Sequence, residues 1–128
     1  MEFTILGATP SKKNSRILNT KTKRSFPNPR YKEWHDYAIL QTRSQLQGWK
    51  APVPCSIVVT FFHADKHRRD SDNAMSSILD MLKDNGTIID DCWEYVRHEE
   101  SWNEYDKGNA RCVIEITEYK GRNKSEVC

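Results

Sequence analysis

The chain has 128 residues, of which 37% are hydrophobic and 30% charged, and a formal net charge of +2. That length suits one domain able to bury a core without disulfides or a structural metal, and the composition excludes disorder except near the ends. No apolar run approaches the roughly 20 residues that span a bilayer, and the opening MEFTILGATPSKK lacks the basic start and longer apolar stretch of a signal peptide, so a cytoplasmic protein with no membrane partner is expected.

Charge is distributed unevenly. Between Ser11 and Lys32 lie eight basic residues and no acidic one, whereas Asp84 to Lys107 carries eight acidic residues against Arg97 and Lys107. Such polarity suits a protein that grips a polyanion with one region and holds metal cations with another; on charge alone, a solvated basic loop without a partner fits equally well. Cys55, Cys92, Cys112 and Cys128 are widely separated and form no CxxC pair. Neither a zinc knuckle nor a disulfide framework is indicated, and reduced thiols packed mostly in strands are expected.

In chain order, Glu2 to Gly7 reads as a short strand that ends at the Gly-Ala-Thr-Pro break. A basic loop follows over residues 11–30, closed by FPNPR, whose two prolines exclude a regular helix there. From about Tyr31 to Gln47, Trp34, Tyr37, Ala38, Leu40 and Leu46 give a helical pattern of mixed spacing that stops at Gly48. Cys55 to His63 is dense in β-branched and aromatic residues without polar alternation, which fits a central strand covered on both faces.

Asn73 to Asn85 is the clearest helix, because Met75, Ile78, Leu79 and Leu82 fall at i, i+3, i+4 and i+7 and Gly86 stands where a left-handed terminating residue is wanted. TIID suggests a short extended piece. Two further strands are expected, Tyr95 to Trp102 and Ala110 to Glu118, before a frayed tail over 120–128. The order β-α-β-α-β-β predicts a single α+β domain over residues 1–128, with two main helices packed on a small mixed sheet.

The stretch HRRDSDNAMSSILDMLKDNGTIIDD, from His67 to Asp91, places aspartates at both ends of one helix. Asp70, Ser71 or Asp72 can simply cap the helix and complement its dipole. Mg²⁺ and Mn²⁺, however, take oxygen ligands, and Mg²⁺ is usually held by one or two carboxylates with water and substrate phosphate completing the octahedron. Asp70 and Asp72, at i and i+2 where a strand becomes a helix, can turn toward one point. Asp90 and Asp91 are natural further ligands if the chain doubles back after Gly86.

RRDSDNAMSSILDML followed by GTIIDD resembles the signature of RusA-type Holliday junction resolvases. Arg69, Asp70, Asp72, Asn73, Leu79, Asp80, Leu82, Asp90 and Asp91 stand in matching order, and both GATPSKKNSR and CVIEITE resemble the family's opening and closing segments. The resemblance implies a homodimer of small α+β subunits acting on branched DNA, above all four-way junctions. It implies a Mg²⁺-dependent endodeoxyribonuclease, with Mn²⁺ as the alternative ion, in which Asp70, Asp72 and Asp91 are catalytic metal ligands and Asp90 is an adjacent support. Paired phosphodiester hydrolysis in recombination and repair would leave 5′-phosphate and 3′-hydroxyl ends.

One position departs from the family. Where it usually carries a lysine four residues after the second aspartate, this chain has Ser76, which supplies no charge; Lys66, Arg69 or a lysine of the basic loop are the candidates to replace it. The alternative reading is therefore a branched-DNA-binding protein that has lost turnover, and a third is an α+β adaptor whose aspartates only cap the helix. For DNA contacts, Lys12, Lys13, Asn14 and Arg16 are the candidates in the loop, and Arg68 and Arg69 beside the aspartates can clamp a phosphate or pair with Asp70 or Asp72. His63 and His67 flank a strand end, where i and i+4 share no face, so a zinc pair is not expected. The four tryptophans read chiefly as core or interface residues.

Overall fold

The computed structural model describes residues 1–11, 16–19, 24–27, 29–67 and 71–121, and only the backbone of 16–19, 24–27 and 71–73. Its elements are β1 (Glu2–Leu6), β2 (Arg16–Asn19), β3 (Arg24–Pro27), α1 (Pro29–Leu46), β4 (Cys55–His63), α2 (Ser71–Asn85), β5 (Val96–Tyr105) and β6 (Arg111–Glu118). The main sheet has four strands in the order β1-β6-β4-β5, with β4 and β5 parallel and the other pairs antiparallel. The expected α+β class, a mixed sheet with two main helices, is what forms. No helix among the described residues is long and apolar enough to cross a membrane.

The cross-strand register sets the core. Phe3 and Ile5 of β1 lie opposite Ile114 and Cys112 of β6, which in turn oppose Val59 and Phe61 of β4. These residues, with Ile57 and Ile116, are buried on one face, where they form one cluster with Trp34, Ala38 and Leu46 of α1 and Met75, Ile78, Met81 and Leu82 of α2. The other face of β4, through Ser56, Val58, Thr60 and Phe62, is only half-buried. The expectation that β4 is covered on both faces is thus corrected. Its dense β-branched sequence reflects a strand with hydrogen-bonded neighbours on both sides, not helices above and below.

The basic segment also differs from a plain loop. Arg16–Asn19 pairs antiparallel with Arg24–Pro27, with Asn19 opposite Arg24, as a separate two-stranded ribbon. Pro27 closes this ribbon and Pro29 opens α1, where a proline at the first helical position sacrifices no hydrogen bond. Residues 12–15, 20–23 and 28 of the segment, and 122–128 of the expected frayed tail over 120–128, lie outside the described residues.

Helix α1 is held by polar residues that hydrophobicity does not reveal. Its buried line is Trp34, Ala38, Thr42 and Leu46, one residue every four, whereas Tyr37 and Leu40 are exposed. Thr42 is tolerated there because its hydroxyl donates to the Ala38 carbonyl at 2.8 Å. Gln45 accepts from the Thr4 amide at 3.0 Å and donates to the Thr4 carbonyl at 2.7 Å, while Gln41 accepts from the Leu6 amide at 2.8 Å. Side chains of α1 therefore satisfy the outer edge of β1, which would otherwise be open to another strand.

Helix α2 begins at Ser71, two residues earlier than the apolar pattern indicated, and ends as expected. Gly86 has φ of +80°, its amide donates to the Lys83 carbonyl at 3.0 Å, and the Thr87 amide donates to Leu82 at 2.9 Å, the paired bonds of a Schellman terminus. The following TIID residues form bends, with Thr87 and Ile88 buried, not an extended strand. Cys55 and Cys112 are buried thiols in strands, burial pushing Cys112 up to about 11, and Cys92 is exposed.

At the far end of the sheet, Arg111 donates from Nη1 to Asp106 at 2.7 Å while its guanidinium lies 3.9 Å from the centre of the Phe62 ring. Hydrogen bonds from Arg111 and then Asn109 hold the Asp106 carboxyl below the usual carboxylate range. A depressed folded value means that this pair contributes stability at neutral pH and loses it as pH falls through the folded value. In Arg111→Met the Asp106 carboxyl is expected to titrate at higher pH than in the parent, measurable by carbon-detected NMR.

Candidate active site

The topology decides where the carboxylates stand. β4 ends at His63, the chain turns over, and α2 runs back so that Thr87 accepts from the Ala51 amide at 2.9 Å, beside the start of β4. β5 then begins at that same end, with Val96 opposite Cys55 and the Tyr95 carbonyl accepting from Cys55 at 2.8 Å. The backbone of Asp72 lies in the first turn of α2, and Asp90 and Asp91 follow its far end; fifteen residues of helix span about 22 Å. The parallel crossover thus brings Asp90 and Asp91 to the end of the sheet where β4 started, with the length of α2 between them and the backbone of Asp72.

Asp90 and Asp91 form a charged corner. The Asp91 amide donates to Asp90 Oδ1 at 2.8 Å, and Lys83 Nζ lies 3.5 Å from the same carboxylate. Hydrogen bonding from Asp91, followed by the charge of Lys83, holds the Asp90 carboxyl below the usual range, and Asp90 in turn raises Lys83. Asp91 is exposed. The Asp90 carboxyl is thus held in its ionised form, and both side chains reach solvent, as hard-cation ligands must.

The other end of α2 carries a cleft of about 320 Å³ lined by Met75, Ser76, Leu79, Glu99, Glu100 and Ser101. Ser76 stands exposed, about one helical turn beyond Asp72. Glu99 pairs in register with buried Ile57 and so points from β5 toward α2. No lysine or arginine lines this cleft among the described residues. Lys66, one candidate to replace the missing lysine, has its ammonium 4.9 Å from the centre of the Tyr105 ring. Lys12, Lys13, Asn14, Arg68, Arg69 and Asp70 lie outside the described residues, and Arg16 is described as backbone at the start of β2.

Sequence reading did not find the polar contact between the helices. His35 Nε2 lies 2.8 Å from Asp84, and the Tyr31 hydroxyl donates to Asp80 at 2.7 Å. Ligand-capable atoms of His35, Asp80 and Asp84 fall within 4.8 Å of one another. The available signal was a double i, i+4 spacing, Tyr31 with His35 and Asp80 with Asp84, which carries meaning only once the two helices are known to face each other. Burial and then the Asp80 carboxylate raise the Tyr31 phenol well above its ordinary range, so it remains a donor.

The chain is thus a mixed α+β domain with paired aspartates at one end of a crossover helix and an aspartate in its first turn. The profile of the endodeoxyribonuclease RusA family matches residues 7–117, and the chain belongs to that family. It is also 26% identical over 115 residues, 90% of either chain, to the crossover junction endodeoxyribonuclease RusA of Aquifex aeolicus (strain VF5).

Tyr31→Phe removes the hydroxyl that donates to Asp80. We expect a loss of about 1–2 kcal/mol in stability, read from urea unfolding.

Proposed function

We propose that this protein is a metal-dependent, structure-specific endonuclease that resolves four-way DNA junctions as a homodimer in the cytoplasm. Asp70, Asp72 and Asp91 are its metal ligands, with Asp90 as their support. Membership of an endodeoxyribonuclease family supports the nuclease reading, and the printed activity of the Aquifex relative supports crossover junctions as the substrate. Mg²⁺ is the preferred ion and Mn²⁺ the alternative, since an all-carboxylate donor set favours hard cations. When bound, such an ion supplies charge stabilisation and water activation at the scissile phosphodiester.

The observation that carries the proposal is the separation of the carboxylates by the length of α2. It supports a site that takes Asp70 and Asp72 from one chain and Asp91 from a second, so that a symmetric dimer holds two equivalent sites for the two strands to be cut. Lys12, Lys13, Asn14 and Arg16, with Arg68 and Arg69, contact phosphates, which makes junction binding strongly salt-dependent.

The primary test is cleavage of a synthetic four-way junction and a linear duplex in Mg²⁺, Mn²⁺ or EDTA. Metal-dependent paired nicks on the junction that vanish in Asp70→Asn support the assignment; no binding and no cleavage would sink it. Asp72→Asn and Asp91→Asn chains are then each inactive alone, and a mixture refolded together is expected to regain single nicks, because one composite site of the mixed dimer is intact. No recovery on mixing would place all three ligands in one chain.

The second reading, a branched-DNA-binding protein without turnover, is favoured by one observation, the serine at position 76 where the family resemblance calls for a lysine. On the first reading Ser76→Lys changes cleavage little, since the site already works. On the second it raises cleavage by about 10²-fold or more, the usual contribution of a positioned proton-transfer or charge-stabilising group, without changing junction affinity.

A further inference from the structure

Beside Asp91 the protein displays a tryptophan that neither its core nor its proposed metal chemistry uses. Trp93 is 70% exposed, although burying such a ring is among the largest hydrophobic gains open to a side chain. It is nevertheless held in place. The Arg97 Nε donates to the Trp93 carbonyl at 3.1 Å, and the guanidinium lies 5.1 Å from the centre of the Trp93 ring and 5.5 Å from that of Tyr119. Arg97 is itself carried by β5, so the arrangement is anchored to the sheet.

We propose that Trp93 is a stacking platform for a nucleobase of the DNA substrate next to the cleaved bond, with Arg97 as its positioning residue. This rests on the nuclease reading above. Only Cys92 stands between Trp93 and Asp91, at most about 7 Å between their Cα atoms, so a phosphodiester held at Asp91 brings its flanking bases within reach. One face of the ring is taken by Arg97, and its exposure leaves the rest to a flat π partner.

The neighbouring charges favour a base over the phosphate backbone as the occupant. Asp90, Asp91 and Glu94 outnumber Lys83 and Arg97 there, so the backbone is not drawn to the ring for its own sake. A stacking contact reads no sequence, because every base has a π face, yet it discriminates structure. At the crossover of a junction, strands leave the duplex stack, and unstacking a base costs least where pairing is already interrupted.

The test uses the full chain in an Asp70→Asn background, which separates binding from turnover. Four-way junctions carry 2-aminopurine either at the branch point or within an arm. The expected result is a change in 2-aminopurine emission at the branch point only. Trp93→Leu should abolish it and weaken junction binding about 5- to 100-fold, the scale of one base–aromatic stack. Trp93→Phe should keep most of both, and duplex binding should be unchanged in either variant.

Junction affinity and emission in Trp93→Leu equal to the parent would overturn the inference while leaving the nuclease reading intact, as would equal losses in the Phe and Leu variants. Sedimentation of Trp93→Leu at half the parent's mass would assign the ring to a contact between copies, and would overturn it too. Failure of the wild-type protein to bind any junction would instead remove the nuclease reading, and the platform with it.

Discussion

The parallel pairing of β4 with β5 is the constraint on which the rest depends. Two neighbouring strands that run the same way cannot be joined by a hairpin; the chain must cross the sheet, and here it does so through α2. That crossover gives the sheet its helical cover and places Met75, Ile78, Met81 and Leu82 over Ile57 and Val59. It also fixes the two ends of α2 at opposite ends of the strands, and so sets Asp72 apart from Asp90 and Asp91.

The second helix completes the layer in a different way. α1 contributes a narrow apolar line and fixes its position through polar groups: Gln41 and Gln45 against the β1 backbone, Thr42 against its own helix, Tyr31 and His35 against α2. Each of these meets a backbone or carboxylate group at the margin of the core, where an unmet hydrogen bond is costly. Polar contacts of this kind do little to drive collapse, but they specify where the helix sits. The β1 edge that α1 occupies is closed to further strands.

The chemistry on either end of α2 is not symmetric. At one end Asp90 is kept ionised by Asp91 and Lys83, beside an exposed tryptophan. At the other, a cleft edged by Glu99 and Glu100 opens next to Ser76, where the family resemblance calls for a lysine. Among the described residues, the serine adds no charge to a cleft edged by two glutamates.

The aspartate segment, the apolar stripe of α2, the glycine that ends it and the alternation of β6 were legible in the residues alone, because each is a local pattern with a period set by its own element. Their resemblance to the RusA family was legible for the same reason, and the family profile agrees with it across residues 7–117. Sequence could not show that β4 is covered on one face only, that β2 and β3 form a ribbon, or that Thr42 and two glutamines hold α1, since these depend on which neighbours arrive. Nor could it show on which side of the molecule Asp91 falls. Spacing along the chain gives reach, whereas direction comes from strand pairing, and it is the parallel register of β4 and β5 that sends the chain away from Asp72.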